Sequence, residues 1–159
     1  MTILAIDPGS SASAYCVMDD AASPLKFDKV PNADLIQIAR YTDADTIVIE
    51  RVASYGMPVG REVFDTCEWI GRFTQVAVDT SHRVEYILRQ EEKLFICKSP
   101  KANDATIRRA LIDRFAKHDF KTGKGNSHSP DFFYNFKADI WAAFSIGVSY
   151  LNKKGMIEL

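Results

Sequence analysis

Residues 2–10 read TILAIDPGS, an apolar run that ends at Asp7 and passes into a Pro-Gly turn. An uninterrupted apolar run of this kind is typical of a central strand that is buried on both faces. A carboxylate at the end of such a strand lies at the rim of the sheet, where its charge is costly to bury without a compensating partner. Ligands also bind at that rim in α/β sheets, so Asp7 is the first candidate functional residue.

A second apolar run ends in the same way, because residues 46–49 (TIVI) lead directly into Glu50. If the two strands are neighbours, their carboxylates lie a few ångströms apart and repel each other unless a cation sits between them. Asp139 begins the periodic pattern of the last helix, whose small residues would let it approach the sheet and aim Asp139 at the same rim. Three carboxylates without a Cys or His cluster predict an all-oxygen site for Mg²⁺ or Mn²⁺.

Each acid also has a plainer interpretation when it is taken alone. An acid at the end of a strand is more often an exposed turn residue, and Asp139 could simply stabilise the dipole at a helix N-terminus. The three acids together, in this order along the chain, favour the metal site.

The other predicted elements complete an α/β pattern. Further strands are predicted over residues 14–18, 25–30 and 84–88. Helices are predicted from Asn32 or Ala33, over about residues 61–78, from Asn103 or Asp104 to about Lys117, and over the last periodic stretch from Ile140. The order βββαβαβα, followed by a final helix, predicts a mixed sheet with helices on both faces. Residues 94–97 are apolar but too short to assign, and residues 119–131 are predicted to form a mobile polar loop.

The composition is that of an ordinary globular domain. The 159 residues are 47% hydrophobic and 26% charged, and the three cysteines form no CxxC or Cys/His cluster. No apolar run approaches the roughly 18 residues of a membrane span, and the N-terminus lacks the pattern of a signal peptide. We therefore expect a single domain over residues 1–159, a cytoplasmic setting, no membrane partner and no small-molecule cofactor.

Charge is distributed unevenly along the chain. Residues 1–50 hold three Lys or Arg against eight Asp or Glu, whereas residues 98–124 hold eight Lys or Arg against three Asp. Such a basic stretch can form a phosphate-binding face even when the net charge, here −1, is close to zero. It can also be the solvated face of a helix, which is the commoner case.

Four stretches resemble one known family, in order and at similar spacing. Residues 6–10 (IDPGS), followed by an aromatic and an aliphatic residue, look like the first motif of the RuvC-type Holliday junction resolvases, and residues 48–50 (VIE) are similar to the second. Residues 98–109 (KSPKANDATIRR) resemble the family's basic segment, and residues 137–139 (KAD), ahead of a small-residue helix, resemble the last motif. The arrangement looks closer to phage-encoded members than to bacterial housekeeping ones.

This resemblance implies an RNase H-like fold with a mixed five-stranded sheet of order 3-2-1-4-5. It implies a homodimer, in a bacterial or phage-infected cell, that binds four-way DNA junctions during recombination or repair and nicks two opposed strands with divalent metal. By the same resemblance Asp7, Glu50 and Asp139 carry over as catalytic residues and metal ligands. The expected cofactor is Mg²⁺, with Mn²⁺ as a substitute and two ions per active site.

One position departs from the family pattern. The family usually has an acid or a His three residues before the last Asp, and here that position is Phe136. We therefore expect the second ion to bind weakly, or to borrow His128 or Asp131 from the 119–131 loop. The competing interpretation is that Phe136 only packs the helix and that a fourth ligand is not essential.

The implied chemistry is two-metal hydrolysis, in which one ion activates water and the other stabilises the leaving oxygen. Tyr55, in the loop after Glu50, could wedge against an unstacked base at the junction centre or could be ordinary loop packing. Phe64 and Phe73, on the helix from about Arg61 to Val78, are candidate anchors of the dimer interface. The candidate phosphate-binding residues are Lys98, Lys101, Arg108, Arg109, Lys121 and Lys124.

Three other functions compete with this prediction. A non-catalytic DNA-binding module of the same fold is motivated by the missing ligand at Phe136, and metal binding would separate it from the enzyme. A nuclease of the same fold could act on flaps, RNA or single strands instead. A phosphotransferase of the actin and sugar-kinase type would need a second domain and a second Gly-rich phosphate loop, for which 159 residues leave no room.

Overall fold

A five-stranded mixed sheet organises the chain, of which the computed structural model describes all residues from 1 to 159. The strands are β1 (Thr2–Asp7), β2 (Ala12–Asp19), β3 (Pro24–Pro31), β4 (Thr46–Arg51) and β5 (Arg83–Leu88). Their order in the sheet is β3-β2-β1-β4-β5, which confirms the expected order 3-2-1-4-5. The opening meander β1-β2-β3 is antiparallel, whereas β4 pairs in parallel with both β1 and β5.

Burial along the strands explains this order. Residues 3–6 of β1 and 47–49 of β4 have no solvent exposure, as expected for central strands covered on both faces. In contrast, β3 exposes five of its eight residues, including Leu25 and Lys26, and it has a proline at each end. Proline and lysine are typical of edge strands because they discourage pairing with another chain.

Helices cover both faces of the sheet. They are α1 (Asn32–Tyr41), α2 (Arg61–Asp79), α3 (Arg89–Cys97), α4 (Asp104–Phe115) and α5 (Ile140–Lys153). One apolar core lies between the sheet and α1 and α2, and a larger one lies between the opposite face and α5, with residues of α4 added. None of the five helices combines the length and the apolar composition needed to cross a bilayer.

Helix α5 is the most deeply buried helix and approaches the sheet closely. A Cβ placed on Gly147 would lie 2.4 Å from the Met18 Cε and 3.2 Å from the Ala5 Cβ. The absence of a side chain at Gly147 therefore lets the helix lie directly over β1 and β2 without displacing Met18. This close approach fixes the distance between α5 and the sheet. It thereby also positions Asp139, the residue directly before α5.

Two expectations about local structure need correction. The segment 94–97 is the end of α3, a helix that its many polar residues concealed from the hydrophobic pattern. Phe136 does not lie one helical turn before Asp139, because α5 begins only at Ile140 and Ala138 has a φ of 35°. Phe136 is fully buried, with its ring 4.6 Å from that of Phe27 and 5.1 Å from that of Phe133, so it packs the core as in the competing interpretation.

The segment expected to be a mobile loop is tied down by a buried carboxylate. Burial alone would raise the pKa of Asp131, but hydrogen bonds from four backbone N–H groups outweigh it and hold that pKa well below its usual range. Those groups belong to Lys117, His118, Asp119 and Phe132. Asp131 therefore has a structural role and is not free to serve as a metal ligand, contrary to the expectation.

The packing of α5 can be tested with a matched pair of helical glycines. Gly147→Ala should lower the free energy of unfolding by about 1–3 kcal/mol, because the added methyl group overpacks Met18. Gly71→Ala, in α2 where a Cβ meets no atom within 4 Å, should raise it by up to about 1 kcal/mol through helix propensity alone. Urea unfolding followed by circular dichroism measures both changes, and equal stabilisation by the two substitutions would contradict the close approach.

Candidate active site

One row of the sheet carries the candidate residues. Asp7 on β1 pairs with Ala14 on β2, and Ala14 pairs with Lys29 on β3. The parallel pairing of β1 with β4 places Glu50 beside Asp7 on the other side. Paired residues on neighbouring strands share a face of the sheet, so Asp7, Glu50 and Lys29 project from the face that α5 covers. The small side chain of Ala14 leaves space on this face of the sheet between Asp7 and Lys29.

Asp7 and Glu50 lie side by side as expected, near enough for each carboxyl group to affect the pKa of the other. Burial raises the pKa of Asp7 to about 8, and the negative charges of Glu50, Asp139 and Glu92 add to this rise. Burial also raises the pKa of Glu50, although the positive charge of Arg89 opposes the rise. Two carboxyl groups this close repel each other when both are ionised, and a cation between them relieves that repulsion.

Asp139 lies at the same site but has a different partner. It occupies the residue before α5, and its Oδ2 accepts a hydrogen bond from the Lys29 Nζ at 2.5 Å. Both side chains are 47% exposed, so this ion pair faces solvent. The hydrogen bond to Asp139 raises the pKa of Lys29. Sequence reasoning missed Lys29, because only the pairing of three strands brings it to the row of Asp7.

The turn after β1 is fixed by a small polar network that explains the residues following Asp7. The Gly9 N–H donates to the Ser13 Oγ at 2.9 Å, and this hydroxyl donates to the Asn32 Oδ1 at 2.5 Å. The Asn32 Nδ2 donates in turn to the Gly9 carbonyl at 2.9 Å. A Cβ on Gly9 would lie 2.2 Å from the Ala12 carbonyl oxygen, so only glycine fits this position.

A cleft of about 530 Å³ opens over these residues. Its floor includes Asp7 and the turn of residues 8–12, and its walls include Lys29, Asp139 and the first turns of α2. The cleft therefore exposes two of the three candidate acids and the lysine to a ligand that approaches from outside.

A fourth acid, Glu92 on α3, was not predicted. Its side chain has no solvent exposure, and its Oε2 accepts hydrogen bonds from the Ser145 Oγ at 2.6 Å and the Arg89 Nη1 at 3.3 Å. Burial, together with the negative charge of Glu50, raises the pKa of Glu92 to about 8. The only sequence signal for Glu92 is the Arg-x-x-Glu spacing, which places Arg89 and Glu92 on one side of a helix. That signal can be used only once α3 is known to be a helix.

A second, smaller cleft of about 170 Å³ adjoins the first and shares Asp139 with it. Arg89 and Arg108 line it, together with Ser145 and the ring of Trp141. The Arg108 guanidinium lies 5.1 Å from the centre of the Trp141 ring, a cation–π arrangement that holds this side chain beside the cleft.

The other candidate DNA-binding residues fall into two groups. Lys98, Lys101, Lys121 and Tyr55 are exposed, and Lys124 is partly buried. Arg109 is already engaged, because its guanidinium donates to Asp113 and to the carbonyl groups of residues 120 and 121. Arg109 therefore helps to hold the 119–131 segment against α4.

The donors fit a divalent cation in their chemistry more closely than in their spacing. All four acids offer oxygen ligands, and the unpartnered Oε1 of Glu92 and the raised pKa values show that ionising these groups is unfavourable without a compensating cation. No three Asp, Glu, His or Cys side chains lie close enough together to hold one ion. Asp7 and Glu50 thus form the centre of the candidate site, whereas Asp139 is paired with Lys29.

Comparisons with known proteins concern the fold. No family model matches the sequence, and no curated protein matches it. Thermus thermophilus RuvC matches at 12% identity with a TM-score of 0.67 over 99% of both chains. T. thermophilus RuvC in complex with Holliday junction substrate matches at 12% identity and a TM-score of 0.70, over 99% of this chain and 98% of that one.

A viral protein matches along the same length. The fowlpox virus Holliday junction resolvase is 15% identical, with a TM-score of 0.52 over 97% of this chain and 99% of that one. At these identities the likeness concerns the fold and leaves the chemistry to the residues of this chain. The chain has the RNase H-like fold of RuvC and the poxvirus resolvase along nearly its whole length.

Proposed function

We propose that this protein is a divalent-metal-dependent endonuclease that cleaves branched DNA, with four-way junctions as its substrate. The observation that carries the proposal is the pairing of the half-buried Asp7 and Glu50 side by side at the ends of two central strands, in a site that Asp139 also lines. Proteins of the same fold include a RuvC bound to Holliday junction substrate and a viral Holliday junction resolvase. The motif resemblance along the sequence supports the same activity.

Asp7 and Glu50 would hold the cation, joined by Asp139 once it parts from Lys29. A bound Mg²⁺ or Mn²⁺ would supply an activated water and would stabilise the leaving oxygen, and a second ion is part of the proposal. Asp7 and Glu50 would both have to be ionised to hold the cation, so any proton on them would be released to solvent. Lys29, once released from Asp139, remains in the cleft and can pair with a phosphate oxygen of the DNA.

The basic residues around the second cleft would position the DNA backbone. Arg108 stands beside Asp139 in that cleft, and Lys98 and Lys101 lie exposed in the turn between α3 and α4. Lys121 and Lys124 extend the basic surface, and Tyr55 projects from the loop after β4. Contacts of this type set the register of a nucleic acid without reading its sequence.

One observation favours a second candidate function, a non-catalytic DNA-binding module. The Lys29 ammonium already neutralises Asp139, and no three acids lie close enough to share an ion. Metal binding by the purified protein separates the two functions, since the module would bind junctions without binding Mn²⁺.

The roles of the three acids can be tested by charge-neutral substitutions. Asp7→Asn, Glu50→Gln and Asp139→Asn should each lower the rate of junction cleavage at least about 100-fold and leave junction affinity unchanged, because the acids act on the cation and not on DNA binding. Cleavage of four-way, flap and duplex DNA should be measured with Mg²⁺, with Mn²⁺ and with EDTA. Asp43→Asn, at an exposed position in the turn between α1 and β4, is a matched control. Full activity in EDTA would exclude the proposed mechanism.

Phosphate contacts should make junction binding depend steeply on salt. Lys101→Glu should reduce the slope of log affinity against log salt concentration by about 1, because one counterion fewer is released. Lys26→Glu, at the far end of β3, changes the charge equally and should leave the slope unchanged. Arg109 is unsuitable for this test because its removal would release the 119–131 segment. Equal slopes for the wild type and both variants would place the DNA path elsewhere.

Two symmetric nicks require two active sites, and we propose a homodimer formed through α2. Phe64 is 62% exposed there and suits an interface anchor, whereas Phe73 is fully buried in the core, so its predicted role as an anchor is wrong. Next to α2, an apolar groove of about 440 Å³ runs between α1 and α2, with Ile36 and Trp69 in its lining.

Phe64→Asp should convert the dimer to a monomer, because it places a charge in the proposed interface. Light scattering at assay concentration measures the mass of both forms. Phe120→Asp alters a phenylalanine of similar exposure (59%) outside α2 and should leave the dimer intact. A monomeric wild type, or a dimer that survives Phe64→Asp, would contradict this interface.

A further inference from the structure

Glu92 is a buried carboxylate for which the proposed reaction has no role. It lies on α3 with no solvent exposure, whereas the neighbouring Glu91 reaches the surface and pairs with Lys153. One oxygen of Glu92 has two partners, Ser145 and Arg89, and the other has none. A buried carboxylate oxygen without a hydrogen-bond partner costs free energy in the folded protein.

The surroundings of Glu92 increase that cost. It lies near enough to Asp7 and Glu50 for their negative charges to interact with its own. Arg89 is the only positive charge paired with Glu92, and this guanidinium is shared with Asp104. Replacing a whole buried ion pair by apolar side chains is often neutral or stabilising, so such a pair is weak evidence for a role in stability. Stability alone therefore does not account for a glutamate at this position.

Both partners of Glu92 lie next to the candidate active site. Ser145 and Arg89 line the second cleft, which also contains Asp139, and Ser145 lies on the helix that Asp139 precedes. Glu92 thus lies on the β4 and α3 side of the candidate active site. Lys29 lies on the opposite side of that site, on β3. Phe136, where the resembling family has a further acid, is packed among aromatic rings and takes no part.

We propose that Glu92 is a fourth acidic member of the cation site and that its buried carboxyl group strengthens the binding of a divalent cation by Asp7 and Glu50. The inference rests on the proposed metal-dependent function. It places the additional acid on α3 and not ahead of α5. In this role Glu92 is a positioning residue, whose charge acts on the site from behind it, with Arg89 limiting the repulsion in the metal-free protein.

The experiment measures Mn²⁺ binding to the metal-free full-length protein by isothermal titration calorimetry, without DNA. Glu92→Gln and Glu92→Leu both remove the charge, and each should weaken Mn²⁺ binding at least about tenfold. Glu91→Gln is the matched control, since it removes one charge from the adjacent position and its amide can still cap the helix. The control should bind Mn²⁺ as the wild type does.

Thermal unfolding of the same metal-free proteins distinguishes this role from a structural one. If Glu92 serves the cation, its folded variants should bind Mn²⁺ weakly whatever their unfolding temperature, because the loss of Glu92 as a partner of Arg89 and Ser145 lowers stability in either case. Lower stability with unchanged Mn²⁺ affinity, or failure of both variants to fold, would assign Glu92 to the fold and overturn the inference.

The two proposals fail in different ways. Wild-type protein that binds no Mn²⁺ would overturn the metal-dependent function and this inference with it. Wild-type protein that binds Mn²⁺, together with folded Glu92 variants that bind it equally well, would overturn this inference alone.

Discussion

The burial of like-charged carboxylates at the end of two central strands is the constraint on which the site depends. β1 and β4 lie in the middle of the sheet because their residues are apolar on both faces. Their parallel register then brings Asp7 and Glu50 together, whatever the cost of that contact. Helix α5 adds Asp139 because Gly147 lets the helix approach the sheet closely.

Two basic residues reduce this accumulated charge from opposite sides. Lys29 reaches Asp139 from β3, and Arg89 reaches Glu92 from the start of α3. The two cations differ in exposure, since the Lys29 side chain is 47% exposed and that of Arg89 28%. An ion pair exposed to water is weak and exchanges readily, whereas one that is largely buried is held by its surroundings. The site therefore has a labile positive partner on one side and a fixed one on the other.

The strands and the paired acids could be predicted from the sequence because each depends on a short run of residues. Apolar runs that end in Asp7 and Glu50 identify central strands without any knowledge of the rest. Lys29 and Glu92 could not be found in this way, since their role depends on pairing across three strands and on a helix rich in polar residues. Phe136 was misplaced because the period of α5 was extended backwards through Ala138, whose left-handed backbone ends the pattern.

The position of Lys29 on an edge strand has an evolutionary consequence. Asp7 and Glu50 stand on strands whose neighbours are packed on every side, so few substitutions around them can be tolerated. Most side chains of β3 face solvent, and one of its edges pairs with no other strand. Natural selection can therefore vary Lys29 and its neighbours, and with them the charge beside Asp139, while the hydrophobic core stays the same.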